Sequence, residues 1–147
     1  MQYKKLLEYK IRDFVPADYK NLAKLWQLVG LFNPAIDKRQ IILRKHRKDR
    51  RMILIAETKK KLIGSILGSG DGWRGSLWRL AVHPQYQNKG VGTRLVKGME
   101  NRLKRMGCKR IFLLIDKKFD NSNNLMNFYK KLGYRKNDRY LYMGKKF

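Results

Sequence analysis

Leu80-Ala81-Val82-His83-Pro84-Gln85-Tyr86-Gln87-Asn88-Lys89-Gly90-Val91-Gly92 is the stretch on which the reading of this chain turns. It joins an apolar run, Ser76 to Val82, to a segment whose apolar residues fall at helical spacing: Val91, Leu95, Met99, Leu103 and Met106. Pro84 ends the first, because proline has no N–H to give to a sheet ladder. The spacing of the second predicts an amphipathic helix from Gly90 to about Met106, capped by Gly107. A strand, a short loop and a helix opening at Gly90-Val91-Gly92 outline an anion site. Glycine lets backbone approach a ligand closely. The first turn of a helix leaves N–H groups unpaired and carries positive potential. Phosphate binds there without side-chain charge, and Lys89 would add charge outside. Spacing alone also reads Gly90 and Gly92 as ordinary loop residues, since short glycine patterns recur by chance. A nicotinamide fingerprint is excluded by the missing third glycine, and no Walker pattern is present.

Outward from this stretch the elements alternate in a readable order. Tyr9 to Asp13 reads as a strand, and Val15-Pro16-Ala17-Asp18 opens a helix with Leu22, Leu25, Trp26 and Val29 on one face. Gly30 and Pro34 end it, and a second helix is expected over Asp37 to Arg50. Met52 to Ala56 and Lys61 to Gly68 form a hairpin about the turn Glu57 to Lys60. Gly70-Asp71-Gly72 turns the chain into the strand that ends at Val82. Beyond the long helix, Arg110 to Ile115 is almost wholly apolar, as expected of a strand covered on both faces. A helix from Ser122 to Leu132 follows, with Leu125, Phe128 and Leu132 on one side and Gly133 closing it. Tyr134-Arg135 and Tyr140 to Met143 are expected as closing strands. The expectation is an α/β chain: one mostly antiparallel mixed sheet of six to seven strands, about four flanking helices, and a single domain over 1–147.

Composition narrows the class. At 147 residues a chain buries about two-thirds of the surface it exposes unfolded. No apolar run approaches the roughly 20 residues that cross a bilayer, and no apolar signal core follows the basic N-terminus, so a cytoplasmic location is expected. Cys108 is the lone cysteine, and His46 and His83 are the two histidines, so neither a disulfide nor a metal site is expected. Thirty-six Lys and Arg against eleven Asp and Glu give a formal charge of +25. Such a field attracts anions in general and does not choose among nucleic acid, acidic peptide and a phosphorylated cofactor.

Gln87-x-x-Gly90-x-Gly92 after a strand resembles the (Arg/Gln)-x-x-Gly-x-(Gly/Ala) acyl-CoA signature of the GNAT N-acetyltransferases. Phe128-Tyr129-Lys130-Lys131-Leu132-Gly133-Tyr134 is similar to the second landmark of that family, in the expected order along the chain. The resemblance runs from about Ile11 to Met143. Asp71-Gly72-Trp73-Arg74-Gly75 and Leu80-Ala81-Val82-His83-Pro84 are most similar to small members of the YpeA type, with ribosomal-protein N-acetyltransferases also near in motif.

The resemblance implies a fold and a chemistry. Acetyl-CoA would be the acetyl donor, and a primary amine would attack its thioester directly: a protein N-terminus, a lysine or a small amine. Leu80, Ala81 and Val82 would pair with the pantetheine arm as an added strand, in a slot opened by a splay or bulge. An N–H of this strand would polarise the thioester carbonyl. Gln87, Asn88, Lys89, Gly90, Val91, Gly92 and Thr93 would hold the pyrophosphate. Tyr129 would be the general acid that protonates the departing thiolate; by its spacing alone it is a core aromatic beside Phe128. Asp116 would be the general base, with a cap at the strand end or a water chain as alternatives. Asn121, Ser122 and Asn124 compete for a further CoA contact, because Asn121 stands eight positions before Tyr129 where the family's Asn usually stands seven before it.

Arg44-Lys45-His46-Arg47-Lys48-Asp49-Arg50-Arg51 reads as the solvated end of an amphipathic helix, with Ile41, Ile42 and Leu43 behind it. It brings no aromatic RNA-binding signature, helix-turn-helix or zinc knuckle, so nucleic acid is not the expected partner. In the family the first two helices wall the acceptor site, so a basic second helix implies an acidic acceptor, such as an acidic peptide or protein, or an acceptor near nucleic acid. Trp73, Trp78, Tyr140 and Tyr142 are candidates for lining that groove, with Trp78 also readable as half-core. A monomer or homodimer is expected. The alternative reading is a non-catalytic basic module on the same fold that binds RNA or another anion, since a fold does not dictate its function.

Overall fold

The structure is a computed structural model that describes residues 6–59 and 61–147. The readings of the basic N-terminus and of Lys60 in its turn lie outside the described residues. Two compact units are present, one ending at Leu113 and the other running Leu114–Phe147.

The first unit contains the strands β1 (Lys10–Asp13), β2 (Ile53–Glu57), β3 (Leu62–Gly70), β4 (Arg74–Val82) and β5 (Arg110–Phe112), and the helices α1 (Tyr19–Leu28), α2 (Arg39–Lys48) and α3 (Val91–Arg105). The strands form one sheet in the order β1-β2-β3-β4-β5. Neighbours run antiparallel as far as β4, and β4 runs parallel to β5. The parallel step is the crossover through α3, which a parallel pair requires.

β2 and β3 are buried over most of their length, because the sheet is covered on both faces and lies between two layers of core. Ile53, Ile55, Leu67 and Ala81 pack with Phe14, Ile42 and the α1 residues Leu22, Leu25 and Trp26. Those three α1 residues follow the i, i+3, i+4 spacing of a helix face. The opposite sheet face meets α3, where Leu95, Met99 and Leu103 are wholly buried. This face of β3 is built from glycine. A Cβ on Gly68 would stand 2.5 Å from Met99 Sδ, and one on Gly70 would stand 2.8 Å from Leu103 Cδ2. Bare backbone here lets α3 lie close on the sheet, which carries the start of α3 to the end of β4.

Several expectations need correction. The predicted buried stripe of α3 holds at Val91, Leu95, Met99 and Leu103, but Met106 lies past the helix and is 40% exposed. Arg110 to Ile115 forms only a three-residue strand, and Phe112 and Leu114 are each 45% exposed rather than covered on both sides. The basic run is not wholly solvated. Lys45 Nζ donates to Gly68 O at 2.6 Å, Ser69 Oγ at 2.9 Å and Asp49 Oδ2 at 2.7 Å, and so ties α2 to β3.

The second unit holds α4 (Asn124–Lys131), preceded by 3-10 turns at Lys117–Phe119 and Asn121–Asn123. Asp120 Oδ1 accepts the Met126 N–H at 3.0 Å and caps the first turn of α4. Gly133, at φ +94, ends the helix in the left-handed conformation. Neither Tyr134-Arg135 nor Tyr140 to Met143 forms a strand, so the sheet has five strands among the described residues, not six to seven. Leu141 and Met143 are more than 90% exposed. A strand gains its stability from ladder bonds and a buried face, and this segment has neither.

Candidate functional site

β4 has partners on both sides only at its start. β5 pairs with it at Arg74↔Arg110, Gly75↔Ile111 and Ser76↔Phe112, and no further. From Leu77 to Val82 the strand continues against β3 alone. The two parallel strands thus part after Ser76, which leaves one edge of β4 without a sheet neighbour among the described residues, the edge that an extended ligand can join.

A bulge lies within the open part. Leu67 pairs with Trp78 and Ser65 pairs with Ala81, so Arg79 and Leu80 together face the single residue Ile66. The extra residue of a bulge leaves its backbone out of the ladder and bends the strand. Arg79 carries the bend at φ +53. A left-handed conformation costs an L-residue with a Cβ roughly 1–2 kcal/mol, so surrounding contacts must hold it.

Beyond Val82 the chain makes a 3-10 turn at Pro84–Tyr86, where His83 Nδ1 accepts the Gln85 N–H at 3.2 Å. Burial, and then the charge of Lys61, hold His83 below its usual range, which keeps Nδ1 free to accept. The Tyr86 ring is flanked by His83 at 5.6 Å, Lys61 Nζ at 5.3 Å and Lys89 Nζ at 5.8 Å. Gln87 Nε2 donates to Val82 O at 3.0 Å, which staples the loop to the last residue of the strand. Asn88 and Gly90 then take left-handed φ angles of +60 and +84, and Gly90 is the N-cap of α3. Among the described residues no side chain caps this end. The space a Gly90 Cβ would enter is open. The first-turn N–H groups at Val91, Gly92 and Thr93 precede the first intrahelical bond, Arg94 N to Gly90 O at 3.1 Å. This is an uncapped helix N-terminus beside Lys89, a place where phosphate oxygens are favoured.

The structure therefore brings Leu80, Ala81 and Val82 and the whole of Gln87 to Thr93 into one continuous device within the first unit. The Gln87 side chain, by its bond to the Val82 carbonyl, fixes the backbone at the start of this loop.

The remaining candidates lie in the second unit. Tyr129 is the buried residue of α4, while Leu125, Phe128 and Leu132 are half-buried. Its ring meets Phe128 at 5.1 Å and Tyr134 at 5.5 Å, both edge to face. Burial pushes its phenol up to about 12, so the hydroxyl stays protonated and able to donate across the physiological range. Asp116 stands four residues past the end of β5, not late within it. It is exposed, and its Oδ1 accepts the Lys118 N–H at 2.9 Å. Asn121, Ser122 and Asn124 are all exposed, and Ser122 and Asn123 are both left-handed.

Two groups escaped the sequence reading. Arg79 Nη2 pairs with Asp37 Oδ2 at 2.9 Å, and Asp37 is 3% exposed. Trp26 Nε1 donates to Ser65 Oγ at 2.9 Å, and that hydroxyl donates to Arg79 O at 3.0 Å. A serine and an arginine set inside apolar strands were the available signals, since buried polar groups need partners. The partners were distant in sequence and could not be named. Other residues resolve blandly. Asp71 Oδ1 accepts the Trp73 and Arg74 N–H groups at 2.9 and 3.1 Å and shapes its turn. Cys108 is buried beside the Gly70 backbone. Trp78 is 38% exposed and donates to Ser76 Oγ at 2.7 Å.

Comparison with known proteins agrees with this geometry. Residues 18–134 match the model of the acetyltransferase (GNAT) family. The chain is 34% identical over 137 residues to an acetyltransferase of Sodalis glossinidius, covering 93% of this chain and 94% of that protein. It is 35% identical over 106 residues to one of Photorhabdus laumondii, covering 72% and 74%. Among solved structures it resembles Ard1 of Thermoplasma volcanium with a TM-score of 0.74 at 21% identity, over 86% of this chain and 82% of that one. It also resembles a predicted acetyltransferase of Clostridium acetobutylicum with acetyl-CoA, with a TM-score of 0.70 at 17% identity over 93% and 96%. None of these supports a non-catalytic anion-binding module.

Proposed function

The chain belongs to the GNAT family and is an acetyltransferase, and from that premise we propose that it moves the acetyl group of acetyl-CoA to a primary amine on an acidic peptide or protein. The observation that carries the donor half is the open edge of β4 running, through a bulge and a tight loop, into the uncapped N-terminus of α3. The pantetheine arm pairs along Leu80 and Ala81, and the pyrophosphate sits on the N–H groups of Val91, Gly92 and Thr93 with Lys89 outside. The carbonyl of Val82 already accepts from Gln87, which supports strand pairing that runs chiefly along Leu80 and Ala81.

The amine nitrogen attacks the thioester carbonyl carbon, and a β4 N–H stabilises the developing oxyanion. The C–S bond then breaks. Tyr129 gives its phenolic proton to the departing thiolate, a role that suits a phenol held protonated up to about 12. The Oδ2 atom of Asp116, outside the cap bond, takes the amine proton. Asn121, Ser122 and Asn124 supply further CoA contacts from the turn before α4.

Support for an acidic acceptor comes from the first two helices. Lys20, Lys24 and Arg39 line a groove of about 580 Å³ whose other walls include Tyr19, Ala23 and Phe32. The test is calorimetry with acetyl-CoA, followed by thiol release with a panel of acidic peptides, basic peptides, polyamines and amino acids. The expected result is acetyl-CoA binding in the micromolar range and fastest turnover with acidic peptides. Absence of acetyl-CoA binding up to millimolar concentration sinks the donor half; equal turnover with basic peptides sinks the acceptor half.

A further inference from the structure

The bulge in β4 is held by a set of contacts that core packing does not require. Arg79 sits in the left-handed region at φ +53. Strain of this kind persists only where the surroundings over-determine it, and it gathers at functional sites. Here the surroundings act on both ends of the residue. Its carbonyl accepts from Ser65 Oγ at 3.0 Å, and Ser65 Oγ is itself fixed by Trp26 Nε1 at 2.9 Å. Its guanidinium donates twice to Asp37 Oδ2, from Nη2 at 2.9 Å and Nε at 3.2 Å, and lies 5.8 Å from the centre of the Trp26 ring.

Asp37 is held in turn. Its Oδ2 accepts the Asn33 N–H at 2.8 Å, and its carbonyl accepts from Tyr19 Oη at 2.8 Å. The bulge is thereby bolted to α1 through Trp26 and to the connection between α1 and α2 through Asp37. A buried carboxylate and a half-buried guanidinium are costly to bring together unless geometry is well met. An apolar pair would fill the same space without setting a backbone angle.

We propose that Arg79 is a positioning residue: the Asp37–Arg79 pair and the Trp26–Ser65 relay hold the β4 bulge in its left-handed form, so that a strand N–H points at the acetyl carbonyl. This rests on the acetyl-CoA reading above. Arg79 does not touch the reacting atoms; it acts through its own main chain. The consequence is specific. What matters at position 79 is the backbone angle, and glycine reaches that angle without any bolt.

The experiment compares wild type with Arg79→Ala, Arg79→Gly, Asp37→Asn and Ser65→Ala. Thermal melting establishes that each is folded, and Ser65→Ala, which keeps the ion pair, serves if the others are not. Calorimetry with CoA lacking the acetyl group reports the cradle alone. The infrared stretch of [1-13C]acetyl-CoA on the protein reports polarisation of the carbonyl, which a purely structural role would not move. In wild type the bound carbonyl is expected to shift to lower frequency than in buffer. Arg79→Ala and Asp37→Asn should lose most of that shift and turn over tenfold or more slowly, with CoA affinity within about twofold of wild type. Arg79→Gly should keep the shift and most of the turnover. An unchanged shift in Arg79→Ala overturns the proposal, and so does an Arg79→Gly variant as impaired as Arg79→Ala. If wild type binds neither CoA nor acetyl-CoA, the donor reading itself has failed, and the cause is visible as such.

Discussion

Tyr129 shows how one residue can be both packing and chemistry. Its spacing on α4 makes it a core aromatic, and it is the residue of that helix that burial selects. The same burial raises its phenol to about 12 and preserves the proton that the proposed acid step needs. Tyr129→Phe keeps the ring contacts and removes the proton. Turnover should fall about a hundredfold with acetyl-CoA affinity unchanged, as steady-state kinetics and calorimetry would show. The sign of the pH effect on stability also follows. The unfolded tyrosine titrates near 10 and the folded one near 12, so between these values the unfolded state loses its proton first. Stability is full below pH 10 and drops by roughly 2–3 kcal/mol on rising to 12. Alkaline denaturant titrations of Tyr129→Phe should lack that component. Glu57 acts in the other direction. Arg12 first, and Lys10 after it, bring its carboxyl down to about 2 from an ordinary 4.5. Its stabilising effect is present above pH 4.5 and is lost as pH falls towards 2. Glu57→Gln should flatten the acid limb of a stability profile in that window.

At the scale of elements, the β4–loop–α3 unit depends on glycine for two separate reasons. Gly90 needs its left-handed angle of φ +84, while Gly68 needs the absence of a side chain under Met99. Substitution should separate them. Gly90→Ala strains the loop by about 1–2 kcal/mol and should weaken acetyl-CoA binding several-fold, with a small loss of stability. Gly68→Ala should cost about 1–3 kcal/mol of stability by overpacking. Chemical denaturation and calorimetry check this, and a Gly68→Ala effect on binding as large as that of Gly90→Ala would contradict the division. Most of these elements were legible because each carries a local signal: the apolar stripe of α3, the Leu22, Leu25 and Trp26 face of α1, and the glycines that follow α1, α3 and α4. β5 was legible only at its start. Its apolar run looked like a strand buried on both faces, but exposure of Phe112 and Leu114 depends on which neighbours arrive, and no local pattern carries that. The same applies to Tyr140–Met143, whose aromatic and aliphatic composition suits a strand while no partner completes one.

For the whole molecule, charge is the dominant quantity. A formal +25 on 147 residues gives long-range attraction for anions that salt screens over about 10 Å at 0.1 M. With the proposed acidic acceptor, KM should rise several-fold between 0.05 and 0.5 M salt while kcat changes little. A salt-insensitive KM would set the acidic acceptor aside. Part of the charge is structural: Arg12 bridges Asp18 and Glu57, Arg102 reaches Asp13 and the Arg51 carbonyl, and Lys45 binds β3. Arg79 is likewise taken up by Asp37. By itself the sequence determined the order of elements as far as α4, the family, and the loop from Gln87 that opens α3 at Gly90, because helix faces, strand runs and helix N-termini are set by neighbours along the chain. Tertiary structure decided the split after Ser76, the left-handed Arg79, and the bolt from Asp37 and Trp26 to the β4 bulge. These depend on residues 14 to 53 positions apart meeting across layers, and polar partners at such distance leave no period in the sequence to read.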